Sequence, residues 1–145
     1  MKDKQNIDRV AKATELHKAG YNCAQSVFAA YADLYDMDEE TALKISTSFG
    51  GGLGGMRHVC GAVSGMAMIL GLETGTVTPR DREGKARNYE QVKFLSEEFE
   101  NEHGSIVCGE LLGLKETDKD IRKKPCREYI EYCAKLLDQN ILDKE

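Results

Sequence analysis

The sequence predicts an all-α fold, a single-domain bundle of about six helices, on three observations. Its apolar residues recur at intervals of three and four along nearly every periodic segment. No segment alternates over strand length, and a glycine-rich turn at Gly50 to Gly55 stands at the centre of the chain. At 145 residues, 41% hydrophobic and 31% charged, the chain is long enough to bury a core and too apolar to be disordered. Residues 1–145 therefore read as one domain, without repeats or low-complexity tracts.

The first helix is expected over Asn6 to Ala19, where Ile7, Val10, Ala13 and Leu16 recur at helical spacing and Gly20 supplies a stop. Asn22 is suited to cap a second helix, on which Cys23, Val27, Ala30 and Leu34 form a buried stripe. Asp38 caps a third, from Glu39 to about Ser48, with Ala42, Ile45 and Phe49 on its inner side. The glycine turn ends it. A fourth helix, from about Val59 to Glu73, is followed at Gly75 to Thr78 by the one segment where a strand is conceivable. Thr78 as cap, Pro79 at the first helical position and Asp81 at the third predict a long fifth helix to about His103, with Tyr89, Val92, Leu95 and Phe99 on its apolar side. Ser105 caps a short helical turn carrying Cys108, and Gly113 closes it. After a polar stretch, Pro125 opens the last helix, whose stripe is Cys126, Ile130, Cys133, Leu137 and Ile141.

Composition narrows the classes of function. A net charge of −5 gives no basic face for nucleic acid. The apolar run from Val59 to Leu72 is shorter than a membrane span and broken by glycines, and the first ten residues lack the apolar core of a signal peptide, so a cytoplasmic protein without membrane insertion is expected. In that compartment five cysteines point to redox chemistry, metal binding or burial in preference to structural disulfides. Gly50, Gly52 and Gly55 satisfy GxGxxG, but without a flanking βαβ unit, and no Gly-Lys-Ser or Gly-Lys-Thr follows to make a P-loop. His58 reads as a polar loop residue, His17 and His103 as surface or helix-end residues, and Met56, Met66 and Met68 as core filler.

None of the five cysteines forms a CxxC, so any shared site has to be assembled by the tertiary fold. Cys23, Cys108 and Cys126 each fall in the first turn of an expected helix and Cys60 near the start of another, where unpaired amides and the helix dipole favour a thiolate. Lys123, Lys124 and Arg127 around Cys126 make it the most activated thiol expected, Cys60 behind Arg57 and His58 the second, and mid-helix Cys133 the least. Cys126 and Cys133, about 10 Å apart along one helix, cannot bridge, so Cys126 is expected to partner Cys23, Cys60 or Cys108. The freedom of Gly51, Gly52, Gly54 and Gly55 to adopt positive φ makes them the candidate cofactor-binding positions. The bland reading of Gly61 and Gly65, on one helical face, is tight helix packing.

The segments YNCAQSVF, GGGLGGMRHVCGAVSG, VCGELLG and KKPCREYI together resemble the redox-active protein family named for its C, CGAxxG, C and C pattern, with the motif region spanning residues 22–133. The resemblance implies a small helical protein whose four motif cysteines, Cys23, Cys60, Cys108 and Cys126, carry redox work, with Cys133 outside the pattern. Three functions stay open: thiol-disulfide or electron-transfer chemistry with an unknown redox partner, an iron-sulfur or other metal module using the same four cysteines as ligands, and a helical interaction protein without chemistry. A homo-oligomer stays open as well.

Overall fold

Residues 6–143 are described by a computed structural model, and within them seven α-helices carry the fold; residues 1–5 and 144–145 of the expected domain lie outside the described residues. They are α1 (Arg9–Lys18), α2 (Cys23–Tyr31), α3 (Glu39–Thr47), α4 (Gly61–Thr74), α5 (Arg82–His103), the single turn α6 (Cys108–Leu111) and α7 (Cys126–Leu137). A 3-10 turn, Ala32–Tyr35, extends α2, and a π-helical turn, Asp138–Leu142, extends α7.

Helix α2 is the hub, packing against α1, α3, α4 and α7. Its sequence explains why: seven of its nine residues, Ala24 and Ser26 to Tyr31, are buried, so it has no solvent face. Asn22 caps it as expected, accepting from the Gln25 amide at 2.9 Å while Gln25 Oε1 accepts from the Asn22 amide at 3.0 Å, a reciprocal capping box. Where α4 crosses α2, a Cβ on Gly65 would stand 2.9 Å from the Ala24 carbonyl oxygen and one on Gly61 3.0 Å from the Ala24 nitrogen, so the two glycines serve the tight helix packing their spacing suggests. Ile130, Cys133 and Leu137 of α7, Leu95 and Phe99 of α5, and Met66 and Ile69 of α4 fill the rest of the core.

Several boundaries differ from expectation, each for a local reason. The fourth helix begins at Gly61 instead of Val59, because residues 58–60 are extended to pair with 106–108; Val59 and Val107 form an isolated antiparallel bridge, and the strand-like contact lies there and not at Gly75 to Thr78. The cap of α5 is the Asp81 carboxylate, accepting from the Gly84 amide at 2.9 Å, in place of Thr78 with Pro79, and Arg80 takes a positive φ just ahead of it. Val107 precedes α6 in the cap position, while Ser105 Oγ accepts from the Val107 amide at 2.9 Å. Ile45, Tyr89 and Met56 are exposed at 45%, 61% and 55%, so they are not core residues. His103, expected at the surface or a helix end, is the last residue of α5 but is buried among Phe99, Tyr129 and Tyr132, and that burial, with the charge of Lys124 3.0 Å from its Nδ1, lowers its pKa to about 4.

Candidate functional site

The site is built on the glycine turn. Gly51, Gly52, Leu53, Gly54 and Gly55 have φ between 57° and 77°, a consecutive run of left-handed residues that only a glycine-dominated segment tolerates. Leu53 and Arg57, at φ 71° and 65°, take the conformation without that licence, at a cost of about 1 kcal/mol or more each. Backbone bonds hold them: the Gly54 amide donates to Ser48 O at 2.7 Å, Arg57 to Gly51 O at 2.9 Å and His58 to Gly52 O at 2.7 Å. From there the chain pairs with the segment before α6, Cys60 N donating to Ile106 O at 2.7 Å and Cys108 N to His58 O at 2.5 Å. This short ladder sets Cys60 and Cys108 at the starts of α4 and α6. A Cβ on Gly52 would lie 2.7 Å from Cys108 Cβ, and one on Gly61 3.2 Å from Cys23 Cβ, so both glycines let a cysteine approach.

Between the turn and the helix starts lies a cavity of about 210 Å³, lined by Cys23, Cys60, Cys108 and Cys126 together with Gly51, Gly52 and Arg57. Cys23 and Cys126 are the first residues of α2 and α7, and Cys60 is the cap residue of α4, so three helix N-termini point their positive dipole ends at one space. Leu111, Leu112 and Tyr129 supply apolar wall, and His17 from the last turn of α1 completes one side. Cys133 is fully buried in the core and is not among the lining residues.

The four lining thiols are not equivalent. Cys23 and Cys126 are half-buried at the rim; Cys60 and Cys108 are buried. Cys23 and Cys126 line the same cavity, and pairing with the Cys23 thiol is the foremost cause that pulls the Cys126 pKa from 9.0 down to about 6; the charges of His17 and Arg57 add to it against the opposing effect of partial burial. The same pairing, with burial and the neighbouring sulfur charge, raises the Cys23 pKa far above its ordinary range. Burial pushes Cys60 up to about 12, against the lowering pull of the nearby Ala62 and Val63 amides. Arg57 Nη1 lies 3.6 Å from Cys108 Sγ. Two partly buried cysteines of unequal acidity thus line one cavity, a pairing that disulfide exchange could use.

A family model described as "Putative redox-active protein (C_GCAxxG_C_C)" matches residues 21–140. The chain belongs to this redox-active family. The match takes in the glycine turn and every cysteine of the chain, Cys133 included. No curated protein and no solved structure matches the chain at a significant level.

The placement of the family cysteines departs from the sequence reading in three ways. Cys60 is the second most activated thiol in sequence, behind Arg57 and His58, but its burial makes it a poor thiolate, and His58 points to solvent. The activation of Cys126 comes from Cys23, His17 and Arg57; Lys124 instead meets His103, and Arg127 reaches Glu131 at 3.8 Å. Gly51 and Gly52 line the cavity, whereas Gly54 and Gly55 are exposed on the outer side of the turn. Among the described residues no three His, Cys, Asp or Glu side chains are grouped closely enough to hold a metal ion. His17 and Tyr129 are lining residues that sequence reasoning passed over, since only the packing of α1 and α7 brings them to the thiols.

Proposed function

We propose that this protein carries out thiol-disulfide exchange, with Cys126 as the nucleophile and Cys23 as the resolving thiol. The observation supporting it is that Cys23 and Cys126, the first residues of α2 and α7, line one cavity and are both only partly buried, with acidities shifted in opposite directions. The Cys126 thiolate attacks one sulfur of a substrate disulfide, forming a mixed disulfide and expelling the other substrate sulfur as a thiolate. With Cys126 uncharged in that bond, the negative charge that raised the Cys23 pKa is gone. Cys23 then yields its proton to the expelled thiolate and attacks the Cys126 sulfur, which releases the second substrate thiolate. Two electrons pass to the substrate, and the products are a Cys23–Cys126 disulfide and two substrate thiol groups, one protonated by Cys23 and the other by water. A dithiol reductant restores the starting state by the reverse exchange.

Reduced protein mixed with one equivalent of a small disulfide is expected to lose two thiols, with peptide mapping placing the new bridge between Cys23 and Cys126. Cys23→Ser should trap a mixed disulfide on Cys126, and Cys126→Ser should react at least tenfold more slowly. A Cys126→Ser protein that reacts at the wild-type rate overturns the reading. So does an anaerobic preparation that holds iron and absorbs in the visible through these thiolates.

A further inference from the structure

We propose that the cavity is a binding site for a small disulfide carrying a carboxylate, with Arg57 as the group that recognises the carboxylate; this rests on the thiol-disulfide reading above. Although the chain carries a net charge of −5, no Asp or Glu lines the cavity, and Arg57 is the formally charged side chain among the lining residues, with His17 and the thiols beside it. Arg57 is held in place by its backbone, which donates to Gly51 O at 2.9 Å and accepts from the Gly109 amide at 3.1 Å. Its guanidinium contacts Cys108 Sγ, a weak acceptor, and among the described residues no carboxylate pairs with it. A half-buried guanidinium has five donors, and a carboxylate is the partner whose two oxygens match its fork.

Size and wall chemistry complete the assignment. At about 210 Å³ the cavity is smaller than the roughly 300–1,000 Å³ of sites for drug-sized ligands, so it takes a molecule of amino-acid scale. Leu111, Leu112 and Tyr129 suit the methylene groups beside a disulfide. The rim thiolate of Cys126, whose charge already feels Arg57, stands where the substrate sulfur would meet it. The bonds made and broken are those of the exchange given above, and the carboxylate takes no part in them.

Three disulfides of similar size separate recognition from reactivity: 3,3′-dithiodipropionate, neutral 2-hydroxyethyl disulfide and cationic cystamine. Rates of Cys126 modification are read by mass spectrometry above the Cys126 midpoint and at high salt, where long-range steering is screened but a close ion pair is not. Wild-type protein is expected to prefer dithiodipropionate over hydroxyethyl disulfide by about tenfold, with cystamine slowest. Arg57→Gly, which suits the positive φ, should bring the ratio near one, and Arg57→Lys should keep part of it. A guanidinium that only stabilised thiolate would change all three rates together, so an unchanged ratio in Arg57→Gly, or equal rates in wild type, overturns the proposal. Calorimetry with Cys126→Ser separates the two readings, since no exchange follows binding. Dithiodipropionate should bind it and not Cys126→Ser/Arg57→Gly, and absence of binding to both overturns the carboxylate site whatever the thiol chemistry proves to be.

Discussion

Opposite ends of the same three helices, α1, α2 and α7, treat their polar groups in opposite ways. At one end, Arg9 is 1% exposed, and its guanidinium grips both Asp33 oxygens at 2.6 and 3.2 Å while donating to Ala30 O at 2.8 Å. Tyr31 beside it sets its hydroxyl 2.7 Å from Ala134 O and 2.6 Å from Asp138 Oδ1. At the other end, eight residues and about 12 Å along α2, the first residues of α2 and α7 and the last turn of α1 face a cavity with thiols and a guanidinium that no carboxylate among the described residues satisfies. Polar groups paired across helices fix helix register. Those at the cavity end, held by a strained turn, are the groups that the proposed exchange would use. The stability of the fold and the chemistry of the site are thereby placed at separate ends of one bundle.

The largest effect should come from breaking the paired end. Arg9→Ala leaves the Ala30 carbonyl without its donor and Asp33 without the charge that, against partial burial, holds its carboxyl below the usual range; a loss of about 3 kcal/mol is expected in urea unfolding. The Cys126 titration midpoint should not move, and a shift in it would show that the two ends are coupled.

At the cavity end, the lowered Cys126 value means that the thiolate forms as pH rises through about 6 instead of 9.0, so alkylation of Cys126 should rise with that midpoint and be roughly nine-tenths complete at neutral pH. Cys23→Ala removes the principal cause and should move the midpoint up by at least one unit, about 1.4 kcal/mol, with little change in stability. A midpoint still near 6 would transfer the activation to His17 and Arg57.

The smallest effect is expected at Cys133, a third kind of cysteine that belongs to neither end. Burial raises its pKa well above 9.0, and Cys133→Ala should cost about 1 kcal/mol from the small void while leaving the rate of disulfide exchange unchanged. Fast labelling of Cys133 in native protein would contradict its place in the core.

Much of this was legible in the residues, and the pattern of hits follows range. Asn22 and Asp38 act at the helix starts where local capping chemistry puts them, because a cap needs only residues three or four away. Asp81 displaced Thr78 within the same few residues, a contest between two good local caps that Gly84, with no side chain to obstruct the Asp81 carboxylate, decides. The rank of Cys60 was misjudged for a longer-range reason: nearby Arg57 and His58 argue for a thiolate, and burial, which depends on the packing of α4 with the rest of the bundle, argues harder.

From the sequence alone came the all-α architecture, the glycine turn as its centre, the family pattern and the position of each of four cysteines near a helix start. All of these are written in short-range periodicity, glycine content and capping. Only the tertiary structure decided that α2 and α7 point their N-termini to the same end, that Cys23 and Cys126 line one cavity, and that Arg57 and His17 line it with them while Lys123, Lys124 and Arg127 do not. The reason is that a thiol's acidity is set by what lies within a few ångströms in space. Residues adjacent in sequence at the first turn of a helix point in different directions around its axis, whereas residues a hundred positions apart can share one wall.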